Sequence, residues 1–180
     1  MDYGDEADAV DATALAWLRE RPGTPVESIG IVTRMWRLAK LFGEDRRRLL
    51  SAAGADPAIL DLLSVLRRAG QPYQLTTREL AERTRVTAGA ISQRVARAED
   101  AGLVGRARAA GRSRAVLVSL TPAGHALVER LVDQVLNREA ELISCLAPEQ
   151  RAALTELLRL LLDDVQDQLG RHRHTQVGSS

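Results

Sequence analysis

A mostly α-helical chain with one small β-hairpin is what the sequence predicts, and three observations carry the expectation. Aliphatic residues recur at helical spacing along most of its length. Aromatics are only 3% of 180 residues, which favours helices packed by aliphatic ridges over a sheet sandwich. One stretch near residues 103–120 switches to a period of two and is rich in β-branched and apolar side chains. Apolar residues make up 45% of the chain, enough for a real core in one domain with appendages.

The elements follow in order. Val10, Ala14, Trp17 and Leu18 share one face of a leading helix over 9–20, which Pro22-Gly23 ends. A long helix is predicted from Pro25 to about Ala53, through Ile29, Val32, Trp36, Ala39 and Phe42, with Gly54 at its exit. Asp56-Pro57 supplies an N-cap and first-turn pair for a third helix carrying Leu60, Leu63 and Leu66 and stopping at Gly70. After a turn over 71–74, Thr76 stands three residues before Glu79, the spacing of a capping box, and a short helix runs to about Thr84. Thr87 caps the next, in which Ile91, Val95 and Ala98 form the buried face and Gly102 is the stop. Two short helices joined by about three residues have helix-turn-helix spacing. Leu103–Ala107 and Ala115–Leu120 then flank Gly111 as the two strands of a hairpin, a wing beside the helix pair. Thr121-Pro122 opens a long helix with Leu127, Leu131, Val135 and Leu142. Pro148 opens the last, striped by Leu154, Leu157, Leu158, Leu161, Leu162, Val165 and Leu169. The expected organisation is an extension helix over 1–24, a winged helix-turn-helix over 57–120, dimerisation helices over 25–56 and 121–169, and a disordered tail over 170–180.

Several function classes are excluded by what the sequence does not contain. Charges interrupt every apolar stretch well before the roughly 18 residues a membrane helix needs. The acidic start MDYGDEADAVDA is unlike a secretory signal, so a cytoplasmic, nucleoid-associated protein is expected. Cys145, the one cysteine, cannot form an internal disulfide, and its place in a leucine-rich segment predicts a buried, unreactive thiol. His172 and His174 fall in the tail, His125 is expected to face solvent near a helix start, and no zinc spacing is present, so no metal or cofactor is expected. Glycine-rich phosphate loops, nucleophile motifs and paired-carboxylate pockets are equally absent, which argues against an enzyme.

Net charge is only +1, but its distribution is uneven. Residues 75–120 hold nine arginines against four acids, a net of +5, leaving −4 for the rest. That is the footprint of a nucleic-acid reader on a near-neutral scaffold. A recognition helix sets its first turns in the major groove. Ala81, Val86, Ile91 and Val95 suit the buried side of such a pair, small Ala88, Gly89 and Ala90 permit close approach, and Thr87, Ser92, Gln93 and Arg97 are free to hydrogen-bond. Gln93 suits adenine, and Arg97 guanine or phosphate. Between Ala101 and Val128 there is no acid, yet Arg106, Arg108, Arg112 and Arg114 punctuate the hairpin. Arg112 and Arg114 share one side near its tip, where they would reach a minor groove or clamp phosphates, with Arg106 behind them.

The run LTTRELAERTRVTAGAISQRVARAEDAGLVGR, followed by SRAVLVSLTPAGHALV, resembles the MarR family of bacterial regulators, and the likeness extends over about residues 26–169. The resemblance implies a homodimer on a pseudo-palindromic operator in double-stranded DNA, usually a repressor, released by a small anionic or phenolic molecule. Arg114 matches the arginine that family members insert into the minor groove, whereas Arg112 stands where many carry an aspartate. The leading helix is similar to that of the urate-responsive PecS-like branch, and this likeness implies that Trp17, Asp61 and Arg94 line a site for urate or another purine such as xanthine; a further polar position of that motif falls at Ala69. Read from the residues, Arg94 lies near the buried side of its helix and calls for an acidic partner, for which Asp61 is the candidate, while Trp17 offers a stacking surface. A structural Arg-Asp pair beside a packing Trp explains the same residues. An architectural DNA binder without a ligand, and a winged module that binds protein, remain the alternatives.

Overall fold

The computed structural model describes residues 7–108 and 115–175, with side chains to residue 170. Its elements are α1 (Ala9–Glu20), a π-helical turn (Ile29–Thr33) leading into α2 (Arg34–Ala52), α3 (Pro57–Arg68), β1 (Gln74–Thr76), α4 (Thr77–Thr84), α5 (Ala88–Asp100), β2 (Val104–Arg108), β3 (Val116–Leu120), α6 (Pro122–Leu142) and α7 (Pro148–Thr175). Two compact units, Met1–Leu136 and Asn137–Ser180, meet within α6.

Helix starts sit where local chemistry put them. Asp8 caps α1 by accepting from the amides of Val10 (2.7 Å) and Asp11 (3.1 Å). Asp56 accepts from Ala58 N–H at 2.8 Å, with Pro57 in the first turn of α3. The second helix departs from expectation: its continuous α-helical part begins at Arg34, after the π-helical turn, and not at Pro25. There Arg34 donates to the Gly30 carbonyl (3.0 Å) and pairs with Asp8 (2.9 Å) and buried Asp11 (2.8 Å), tying the leading helix to the next.

In the first unit, α3, α4 and α5 pack on one another and on an antiparallel sheet of order β1-β3-β2. Leu63, Leu66, Leu80, Ile91, Val95 and Val118 lie at or below 1% exposure in the centre of this core. The core also draws Leu50 from α2 and Val128, Leu131 and Val135 from α6. The strand β1 is an addition to the expected hairpin: Gln74, Leu75 and Thr76 pair with Ser119, Val118 and Leu117. Three residues are too few to show a period, and this strand exists because β3 offers it an edge.

A lock closes the base of the wing. Thr121 donates its hydroxyl to the Gly102 carbonyl (2.7 Å), accepts from Gly124 N–H (3.0 Å), and gives its own N–H to the Leu103 carbonyl (3.1 Å). Gly124 is buried, and a Cβ there would collide with the Leu103 carbonyl and crowd Leu120. The SLTPAG junction therefore has a steric reason for its glycine.

In the second unit, α7 starts with Ala147 N–H donating to Gln150 Oε1 (2.8 Å) and Arg151 Nε to the Leu146 carbonyl (2.9 Å). Its backbone continues to Thr175, beyond the boundary at 169 that the apolar pattern set for the tail; 176–180 lie outside the described residues. Cys145 corrects a second expectation, since it lies in the turn after α6 and is exposed on the chain. No single helix among the described residues is long and apolar enough to cross a membrane.

Helix propensity alone predicts that Gly124→Ala stabilises α6 by up to about 1 kcal/mol. The collision reverses the sign, and a loss of about 2 kcal/mol is expected in urea unfolding of the variant.

Candidate nucleic-acid interface

The helix-turn-helix is assembled by three backbone devices. Thr76 and Glu79 form a full capping box: Thr76 Oγ1 accepts from Glu79 N–H at 3.2 Å, and Glu79 Oε2 accepts from Thr76 N–H at 2.7 Å. Arg85 takes a left-handed conformation (φ 55°) that stops α4, its N–H returning to the Ala81 carbonyl. Thr87 caps α5 by accepting from Ala90 N–H at 3.2 Å.

This fixes which side of α5 faces out. Ile91, Val95 and Ala98 are buried, Ala81 and Val86 pack partly against the same core, and Thr87, Ala88, Gly89, Ser92, Gln93 and Arg97 are exposed. Open space surrounds Gly89. Ser92 donates its hydroxyl to the Ala88 carbonyl at 3.0 Å. Arg97 is engaged with Asp56, the cap of α3, at 2.6 Å.

In the wing, Arg106 stands opposite Val118 and Arg108 opposite Val116. Period two sets both on the face that begins with buried Val104. Arg106 Nε donates to Glu99 Oε2 at 2.6 Å, and this bond is the leading cause that holds the Glu99 carboxyl below its ordinary value. Arg108 is exposed. Arg112 and Arg114 lie outside the described residues.

The three residues assigned to a ligand site occupy separate elements. Trp17 on α1 is 52% exposed beside a depression lined by Ala12, Thr13, Ala16 and Glu20 of the same helix. Asp61 on α3 is exposed and pairs with Arg46 of α2 at 3.5 Å, not with Arg94. Arg94 on α5 is half-buried with no ion-pair or hydrogen-bond partner among the described residues. The expected Arg94–Asp61 pair is thus replaced by Arg46–Asp61, because α2 offers Asp61 a closer cation.

One cluster went unforeseen. Tyr73, also at φ 55°, lies under the Arg67 guanidinium at 4.9 Å and edge-on to His125 at 4.6 Å, while Arg67 bonds Glu129 at 2.9 Å. His125 is half-buried in this stack and does not simply face solvent. The only sequence signal was the arginine-glutamate complement across 62 positions, which no local pattern reports.

Glu79 connects the reader to pH. The Thr76 backbone bond, and then its hydroxyl, hold the Glu79 carboxyl below the ordinary 4.5. A depressed carboxylate contributes stability above its unfolded pKa and loses it as pH falls through the folded one. Glu79→Gln keeps a neutral acceptor in the box. Its unfolding free energy should therefore fall less than the unaltered chain's between neutral pH and about pH 3, as read by urea titrations across that range.

Comparison with known proteins agrees with this architecture. The MarR family model matches residues 54–115, the span from the end of α2 into the wing. The HTH-type transcriptional regulator PecS of Dickeya dadantii (strain 3937) is 28% identical over 142 residues, covering 79% of this chain and 86% of its own. Among solved structures, the MarR family transcriptional regulator Sco3205 from Streptomyces coelicolor, in complex with DNA, superposes with a TM-score of 0.66 at 26% identity over 77% of this chain and 88% of that one. A mutant MarR from E. coli complexed with operator DNA gives 0.59 at 28% identity over 73% and 95%. The fold, the helix pair with its wing, and these likenesses converge on the MarR family of DNA-binding transcriptional regulators, whose model covers the helix pair and reaches the wing.

Proposed function

We propose that this regulator is a homodimeric repressor that grips a pseudo-palindromic operator with two symmetric readers and lets go when a small anionic ligand of the urate or xanthine class binds. The observation that carries the dimer is α7, which buries none of its apolar side chains: Leu157, Leu160, Leu162 and Leu169 are each more than half exposed. An apolar stripe of this length on a lone helix marks an association surface. On α2, Trp36 is 76% exposed and Leu38 and Leu41 are each at least half exposed, which supports the same role for 25–56 as for 121–169. A two-fold pair then presents two reader helices to two half-sites.

Within each reader, Thr87, Ser92 and Gln93 face the base edges, and Arg97 and Arg106 exchange Asp56 and Glu99 for phosphates as the duplex arrives. Arg112 and Arg114 extend the wing into the minor groove. The ligand reading is supported by Arg94, a half-buried cation on the reader helix itself with no counter-ion among the described residues. An anion drawn to Arg94 and stacked on Trp17, with Asp61 nearby, would bias the reader directly and need no long relay.

One titration tests the reading. The unaltered chain should sediment as a dimer and retard the DNA upstream of its own coding region, and urate or xanthine should weaken that retardation. The double variant Leu157→Asp, Leu160→Asp should sediment as a monomer and bind that DNA at least about 100-fold more weakly. A native monomer with full affinity contradicts the dimer. Retention indifferent to purines points to a ligand-independent architectural binder, and no retention in dilute buffer to a protein-binding module.

A further inference from the structure

We infer that Arg85 is a DNA-phosphate contact built into the turn of the helix pair, an assignment that rests on this pair being the duplex reader. Among the described residues, Tyr73 and Arg85 are the non-glycine residues with left-handed backbone, both at φ 55°. Elsewhere the chain uses Gly23, Gly54, Gly70 and Gly102 wherever a positive φ is needed. A side chain at such a position carries a steric penalty that glycine avoids, so its presence calls for a return.

For Tyr73 the return lies within the chain, because its ring is stacked between Arg67 and His125. For Arg85 none is found there. Its N–H ends α4 as any residue's would, the side chain is exposed, and it makes no hydrogen bond or ion pair among the described residues. Among nearby arginines, Arg78 is engaged by Glu82, Arg97 by Asp56 and Arg106 by Glu99, while Arg94, which also lacks a partner among the described residues, is half-buried on regular helix. Among the described residues, Arg85 alone combines a strained backbone with an uncommitted charge, and it stands two residues ahead of Thr87, the cap of the reader helix.

A guanidinium matches a phosphate through paired N–H donors, and backbone contacts of this kind fix register without reading sequence. Arg85 therefore grips the strand that borders the groove α5 enters, and holds the first turn of that helix at a set depth.

The test is the affinity of the unaltered chain, Arg85→Gly and Arg85→Lys for one fixed random-sequence duplex over a range of salt, with thermal unfolding in parallel. Glycine suits the left-handed turn, so Arg85→Gly should keep its melting temperature. One contact per protomer lost from a dimer should lower the slope of log affinity on log salt by about 1.8 and weaken binding by about 60-fold at 0.1 M salt. Arg85→Lys should restore most of the slope. An unchanged slope in Arg85→Gly overturns the contact while leaving the reader intact. A fall in melting temperature with the loss of affinity makes Arg85 structural and overturns it as well. Failure of the unaltered chain to bind the duplex overturns the reader itself.

Discussion

The contact on which the rest depends is the burial of Ile91, Val95 and Ala98 of α5 against α3, α4 and the sheet. A helix of 13 residues is marginal by itself in water, so its direction is set by what its apolar face meets. Each large aliphatic side chain removed from water there contributes about 1.5–3 kcal/mol. With that face fixed, Ser92, Gln93 and Arg97 have no choice but to look outward. The wing is registered to the same core through Val104 and Val118, and Thr121 with Gly124 fastens its base to the end of the reader. The helix pair and the described strands of the wing share one set of buried leucines and valines.

Electrostatics adds a second layer. The arginine-rich segment is not a bare positive surface, because Arg78, Arg97 and Arg106 are each held by a carboxylate in the free chain. Exposed pairs of this sort are screened by water and weak enough for a phosphate to compete. They keep long side chains near a working direction without committing them. Arg97 illustrates the economy, since its partner Asp56 also caps α3.

Legibility followed locality. Asp56-Pro57, Thr76 with Glu79, Thr87, Gly102 and Thr121-Pro122 act within a few residues of themselves, and the elements they punctuate lie where the sequence sets them. What was hidden is non-local. β1 exists only as the partner of β3, and the Arg34 clamp spans 23 and 26 positions. Asp61 was given to Arg94 on spacing, whereas tertiary packing hands it to Arg46. His125 and Cys145 were misread for the same reason: the stack on Tyr73 and the turn after α6 are decided by chain reversal, not by helical period. The apolar face of α7 was visible as a pattern, but a pattern does not say that the chain leaves it uncovered.

The direct measurement is a crystal structure of the chain with a duplex carrying its own upstream sequence. The account predicts the first turns of α5, from Thr87 to Gln93, against base edges in the major groove, with the β2–β3 wing on the neighbouring backbone. A duplex seated on any other surface, with those turns left in solvent, would contradict it.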